Sequence, residues 1–245
     1  MNIDYTYYYR RWHPETEGHR AGMVSYCKLL LSCHLPENRN IQILDVGCGG
    51  GYALLALSKL GYRSLLGIDI DEGQVKAAQA AGLEVQLVKD TIGFLLARPS
   101  AFHLILALDV LEHVPVNIQM EFVHAIASAL SPGGKFICTV PNANSAVAMR
   151  WRYNDWTHHS SFTEHSLEFL LFNGGGFSEI QTLPAADFVR RPRNYWMPFL
   201  SGSRHWWAFR FFRMWRRLEM MAELGPGQGR SIPLSLNLLS VAKKS

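Results

Sequence analysis

The residues of this 245-residue chain best suited to chemistry lie in a glycine-rich turn and in the acids around it. In ILDVGCGGGY, residues 43–52, all five positions from 47 to 51 are Gly or Cys. Gly47, Gly49 and Gly51 let a backbone turn tightly and approach a ligand with no Cβ in the way. A dinucleotide fingerprint, G-x-G-x-x-G, would need glycine where Tyr52 stands, and the G-K-[ST] of a phosphate-cradling loop is missing. The turn, with Asp45 before it, therefore suits a ligand with a charged amino-acid end and no pyrophosphate. Asp69 follows Gly47 by 22 residues and closes the apolar part of LLGIDID. A carboxylate at such a strand end can accept two hydrogen bonds from a ribose diol. Asp71 reads as a helix N-cap. Asp90, in VKD, lies within reach of an adenine amino group or caps the next helix, and the two roles are compatible.

These residues need a frame that brings strand ends to one edge. From Ile41 to Val140, short apolar runs alternate with amphipathic ones, the pattern of strands separated by helices in a parallel sheet. Strands are expected at 41–46, 64–69, 84–88, 102–108 and 135–140, each nearly continuously apolar because both faces are covered. Helices are expected at 52–60, 72–81, 92–97, 116–130 and 164–172, with Pro132-Gly133-Gly134 ending the fourth. Further strands fit 177–183 and 236–242. The chain divides into an N-terminal helical lid at 1–40, a core at 41–183, a basic aromatic insertion at 184–231 and a final core strand at 232–245.

The series ILDVGCGGG, LLGIDID, FHLILALDVLEHV, LSPGGKFICTVPN and the late GGF resembles the class I S-adenosylmethionine-dependent methyltransferases, in order and spacing, over residues 41–177. Within them, RYNDWTHHSSFTEHSL at 152–167 is similar to a run in methyltransferases of bacterial surface polysaccharide and lipopolysaccharide gene clusters. The resemblance implies a Rossmann-like α/β fold: a seven-stranded, mostly parallel sheet with helices on both faces, an antiparallel last strand and a helical insertion before it. It implies S-adenosylmethionine held by Asp45, Gly47, Cys48, Gly49, Gly51, Asp69, Ile70, Asp90, Leu108 and Asp109. The family usually joins its last two strands by a short turn, so the insertion is a departure. The implied acceptor is a hydroxyl of a sugar or lipid-linked glycan. A quinone or other small metabolite is the alternative, and a membrane-attached scaffold that binds the cofactor without turnover is a third.

A hydroxyl acceptor needs a base, and histidine is the natural one near neutral pH. His113 follows Asp109 in LDVLEHV, and His158 and His159 lie in DWTHH, both segments after strands that end on one sheet edge. Asp155 would orient a histidine by accepting its second N–H, or else cap a turn. Glu112 with His113 could bind a divalent ion, but carboxylates are too few to prefer that, and no metal is expected. Asn142 and Asn144 could hold acceptor hydroxyls. The [ND]-P-P-[YF] motif that resembles amino methylation of bases and glutamine is absent.

The formal net charge of +4 conceals an uneven distribution. Residues 188–218 carry eight arginines, ten aromatics and no acid, leaving 16 bases against 20 acids for the remaining chain. As a helix over 203–221, Trp207, Phe211, Met214, Leu218 and Met221 share one face, and Arg210, Arg213, Arg216 and Arg217 the opposite sector. An anionic membrane surface is one partner for such a segment. A homodimer contact or packing on the core is another, and nucleic acid is disfavoured. The flanking stretch from Leu183 to Gly202 reads as an irregular loop. Cys27, Cys33, Cys48 and Cys138 form no metal or disulfide pattern. Neither a secretory signal nor a run long enough to span a membrane is visible. A cytoplasmic protein, peripheral at the inner face of the membrane, is expected.

Overall fold

The computed structural model describes residues 16–187, 191–197 and 201–245. Helix α1 (Glu17–Leu31) starts where the Thr16 hydroxyl accepts from the His19 amide. Alternating elements follow: β1 (Gln42–Val46), α2 (Tyr52–Lys59), β2 (Ser64–Asp69), α3 (Glu72–Ala80), β3 (Val85–Leu87), α4 (Thr91–Leu96), β4 (Phe102–Leu108), α5 (Gln119–Ala129) and β5 (Leu130–Pro141). Then come α6 (Ala148–Asn154), α7 (Glu164–Gly175), β6 (Glu179–Pro184), α8 (Ser201–Leu224), α9 (Pro226–Ser231) and β7 (Asn237–Lys243).

The seven strands form one sheet in the order β3-β2-β1-β4-β5-β7-β6. β1 to β5 pair in parallel, and β7 runs antiparallel between β5 and β6. This is the Rossmann-like methyltransferase fold expected from the resemblance. Because apolar side chains alternate between two covered faces, each central strand feeds two cores. Leu44, Val46, Ile105 and Phe136 pack with α5 and α7, whereas Ile43, Leu104, Leu106 and Ile137 pack with α1 and α2. All five parallel strands end near one edge, which positions the acids and histidines of interest.

Among the boundaries that differ from the sequence expectation, two have a clear physical reason. Pro132-Gly133-Gly134 is not the helix stop: α5 ends at Ala129, Leu130 already pairs with Phe102, and the glycines turn the chain inside β5. Gly133 takes φ +71°, and a Cβ on Gly134 would meet the Ser131 carbonyl at 2.7 Å. Residues 116–118 form a 3₁₀ turn rather than the first turn of α5. Gln119 explains the delay, since its buried amide donates to the carbonyls of Leu111 and Val114 and to Ser160 Oγ, tying the helix start to the preceding loop. Helices α6 and α9 carry no strong periodicity in the sequence.

Candidate active site

The glycine turn adopts the conformation that its composition permits. Gly47, Gly49 and Gly51 have φ of +66°, +50° and +78°, a region costly for residues with a Cβ. At Gly47 a Cβ would also stand 2.7 Å from Val110 Cγ2. The amides of Gly47 and Cys48 donate to the Ile68 carbonyl, that of Gly51 to Cys48, and that of Gly49 to Asp69 Oδ2 at 2.8 Å. With these four donors satisfied inside the protein, the turn is a close-approach surface and not a phosphate nest. The Cys48 thiol packs with Leu54, Val75 and Val85 and donates to the Gly49 carbonyl at 3.8 Å.

Asp69 is pinned at both oxygens, the second accepting from the Asp71 amide at 2.8 Å. Its rigid carboxylate retains lone pairs for a diol, and burial pushes it above the ordinary carboxylate range despite those bonds. Asp45 is buried beneath it, and burial together with the charge of Asp69 raises its carboxyl to about 8. Ile70 is 44% exposed beside Asp69, an apolar face suited to a base or ribose, and Leu108 is half-buried at the end of β4. Asp71 caps α3 through the Gln74 amide. Asp90 caps α4, its Oδ1 accepting from the Gly93 amide at 2.9 Å, and the exposed cap leaves Oδ2 for other contacts.

Asp109 adopts φ +56°, unusual for a residue with a side chain. Thr139 and Asn237 hold it there: its amide donates to the Thr139 carbonyl and Oγ1, and its Oδ1 accepts from Thr139 Oγ1 and Asn237 Nδ2, both at 2.8 Å. Burial still pushes its carboxyl up. Thr139 and Asn237 are positioning residues that no motif announced. Helix α1 also reaches this edge. Burial, then the charges of Asp45 and Asp109, pushes the Cys27 thiol up to about 12, and the Tyr26 hydroxyl donates to the Ala186 carbonyl.

The histidine segments converge. The rings of His113 and His158 stand edge-on with centroids 4.6 Å apart. Asp155 bonds neither histidine as expected from the sequence. Its Oδ1 instead accepts from the Thr157 amide at 2.8 Å and the Thr157 hydroxyl at 2.6 Å, and that hydroxyl lies 2.8 Å from His113 Nδ1. Because the single hydroxyl hydrogen goes to Asp155, His113 Nδ1 carries the proton of that bond and Nε2 the lone pair. His158 Nδ1 faces the Trp151 carbonyl at 2.9 Å, which likewise assigns its lone pair to Nε2. Burial, and then the charge of His158, lowers His113 to about 4, so it stays neutral at physiological pH. Burial pushes Asp155 up, but the Thr157 bonds and the two imidazoles outweigh it and leave the carboxyl below its usual range.

Glu112 is fully buried, its Oε2 has no hydrogen-bond partner among the described residues, and burial raises its carboxyl well above the ordinary range. Glu112, His113 and His158 each bring one ligand-type atom within 4.8 Å of the others, a group that could hold a divalent ion. His158 is the member that sequence spacing could not supply. Arg152 ties the segment together by donating to the carbonyls of His158 and His159.

Asn142 is not available to an acceptor. Its amide donates to the carbonyls of Pro233 and Ser235 and its Oδ1 accepts from Asn144, which in turn donates to Glu164. Beyond it lies a cavity of about 1050 Å³ between α6 and α8, walled by Val147, Met149, Phe209, Phe212 and Trp215, with Arg152, His159, Arg216 and Glu219 at its polar side.

Residues 19–208 match the family model described as "Methyltransferase domain". The chain belongs to that family. The methyltransferase is 33% identical over 147 residues to a ubiquinone biosynthesis O-methyltransferase of Idiomarina loihiensis, covering 55% of this chain and 57% of that one. It is 32% identical over 110 residues to another from Dinoroseobacter shibae, covering 43% of each. The chain thus spans about half the length of the curated relatives it matches. A crystal structure of a SAM-dependent methyltransferase from Archaeoglobus fulgidus superposes with a TM-score of 0.66 at 18% identity, covering 99% of this chain and all of that one. A Haemonchus contortus phosphoethanolamine N-methyltransferase with S-adenosylhomocysteine superposes with a TM-score of 0.59 at 13% identity, covering 99% of this chain and 60% of that one. The glycine turn fits the S-adenosylmethionine that the sequence resemblance implies: it is a cradle that a Cβ at Gly47 would obstruct, with buried Asp45 before it and rigid Asp69 bonded to its Gly49 amide.

Proposed function

We propose that the methyltransferase O-methylates a hydroxyl of a lipid-tailed acceptor, with Asp45 and the glycine turn holding the methionine end of the cofactor, Asp69 the ribose, and His158 acting as base. The observation that carries this reading is the apolar cavity of about 1050 Å³ lined by Arg152, His159, Ser160 and Ser161, the same segment that holds His158 against His113. S-adenosylmethionine supplies a methyl group on a positively charged sulfur. The chain's own part is alignment and proton transfer, and alignment alone is worth roughly 7–11 kcal/mol of barrier. His158 would take the acceptor's hydroxyl proton at Nε2 as that methyl is transferred to the oxygen. His113, held near 4, adds no competing positive charge beside it.

A phenol bearing a polyprenyl tail is the acceptor class favoured first, because the relatives named above are ubiquinone biosynthesis O-methyltransferases and the cavity is apolar. A lipid-linked glycan is the second reading, supported by a separate observation: the run at 152–167, similar to that of surface-polysaccharide methyltransferases, supplies Arg152, Asp155, Thr157, His158 and His159 to the site. Both acceptors offer a tail for the cavity and a hydroxyl for the base. Radiolabelled methyl transfer to polyprenyl phenols, to lipid-linked sugars and to their tail-less counterparts tests this. Turnover is expected on tailed acceptors. Equal turnover on tail-less ones would remove the role of the cavity, and cofactor binding without any transfer would favour the scaffold.

A further inference from the structure

Helix α8 is amphipathic in the reverse sense from a helix packed on a soluble domain. Three of its arginines are held by the protein: Arg213 makes a two-pronged ion pair with Asp187 at 2.5 and 2.8 Å, Arg216 pairs with Glu219 one turn on, and Arg217 donates to the Gly229 carbonyl. Its outward strip is Trp207, Phe211, Met214, Trp215 and Leu218, each between 46% and 55% exposed. On the α6 side of the cavity, Val147 and Met149 are exposed as well, and further along the same segment Tyr153 is exposed and Trp156 is 98% exposed. Trp215 and Phe212 belong both to the exposed surface and to the cavity wall, so the apolar patch runs without a break into the cavity.

Contiguous exposed apolar surface of this extent marks an interaction site. We infer that the outer face of α8, with the α6 rim, docks the methyltransferase on an anionic lipid bilayer, so that the cavity mouth opens at the headgroup level. Charge selects this occupant. Arg204 and Arg210 on α8, and Arg191 over the Tyr195 ring that packs on Trp206, are exposed and have no acidic partner among the described residues. Two copies of the chain packed through this face would bring acid-free arginine clusters together, whereas anionic headgroups complement them. Indole and tyrosine rings at the margin of the patch suit the boundary between headgroups and acyl chains. No helix among the described residues is long and apolar enough to cross a membrane, so the contact is peripheral. Docking of this kind holds whichever hydroxyl is methylated, and its test requires no acceptor.

The test is cosedimentation of the full chain with phosphatidylglycerol/phosphatidylcholine vesicles and with phosphatidylcholine vesicles alone. Binding to the anionic vesicles is expected, weakened by salt and much weaker on the neutral ones. The double variant Phe211→Ser/Leu218→Ser, neither residue lining the cavity, is expected to bind the vesicles at least about tenfold more weakly with unchanged S-adenosylhomocysteine calorimetry. Should that variant fail to fold, the unaltered protein still decides: its tryptophan emission should shift to the blue on anionic vesicles and be quenched by brominated lipid. Absence of binding, equal binding of the variant, or a wild-type dimer that the double variant dissolves would overturn the inference.

Discussion

The hydroxyl of Thr157 lies 2.8 Å from Nδ1 of His113 and hands its own hydrogen to Asp155 at 2.6 Å. One threonine thereby sets the tautomer of a buried imidazole that packs edge-on against His158. Thr157→Val removes the acceptor for the Nδ1 proton and leaves the segment's apolar volume in place. It should lower kcat by about tenfold or more while leaving cofactor affinity unchanged, and Thr157→Ser should restore most of the loss. His158→Gln should cost about 10² or more in kcat. Steady-state kinetics beside calorimetry separates these effects, and normal turnover by His158→Gln would remove it as the base.

Asp69 offers a carboxylate already fixed by two backbone amides, so a diol meets it without reordering. Asp69→Ala is expected to weaken S-adenosylhomocysteine binding by about 30- to 150-fold, or ~2–3 kcal/mol for the charge-assisted bonds lost. Asp69→Asn should fall between. Titration calorimetry measures both, and unchanged affinity would remove Asp69 from the ribose site.

Asp45 is protonated at pH 7 in the cofactor-free protein, since burial and Asp69 raise it to about 8. An ammonium group placed beside it favours the ionised form, so cofactor binding should release up to about one proton at pH 7. Calorimetric enthalpies in buffers of different ionisation heat count that proton, and Asp45→Asn should abolish the buffer dependence. The same shift carries a sign for stability. A group raised in the folded state stabilises below its unfolded value, and that contribution is lost as pH rises towards about 8. Denaturant melts of the cofactor-free protein should therefore fall less steeply with pH in Asp45→Asn.

Gly47 and Val110 share one small space. Gly47→Ala strains a left-handed backbone and forces a Cβ to within 2.7 Å of Val110 Cγ2, for an expected cost of about 1–3 kcal/mol. Val110→Ala in the same chain should recover the steric part and leave the backbone part. A double-mutant cycle in urea reads the coupling, and strict additivity would mean that the contact costs nothing.

Much of the sheet was legible from the sequence because parallel strands covered on both faces are nearly continuous apolar runs, and the strands at 64–69 and 102–108 have the expected bounds. Glycines at 47, 49 and 51 were legible because few other residues tolerate their backbone angles. Convergence of the two histidine loops was not, since the contact between residues 113 and 158 depends on how α6 returns the chain. Thr157 escaped notice for the same reason, and the expected bond from Asp155 to a histidine proved to run through it. Asn142 looked like an acceptor ligand by type, yet carbonyls 91 and 93 residues away consume its amide. Helical periodicity separated the arginines of α8 from its aromatics, but it could not say which side faces the protein. Asp187, a lone acid before the basic stretch, is the residue that decides it.

Pro184 at the end of β6 pairs directly with Leu238 near the start of β7, and Asn237 at that start bonds Asp109. The 52 residues from 185 to 236 therefore leave the sheet and rejoin it at almost the same point. A span with such neighbouring ends behaves as a cassette: closing the gap with a tight turn leaves every strand register intact, and a different segment can be grafted there without reworking the sheet. Replacing that cassette would change one wall of the large cavity while leaving Asp45, Asp69 and the glycine turn, which lie on β1, β2 and the loop after β1, in place.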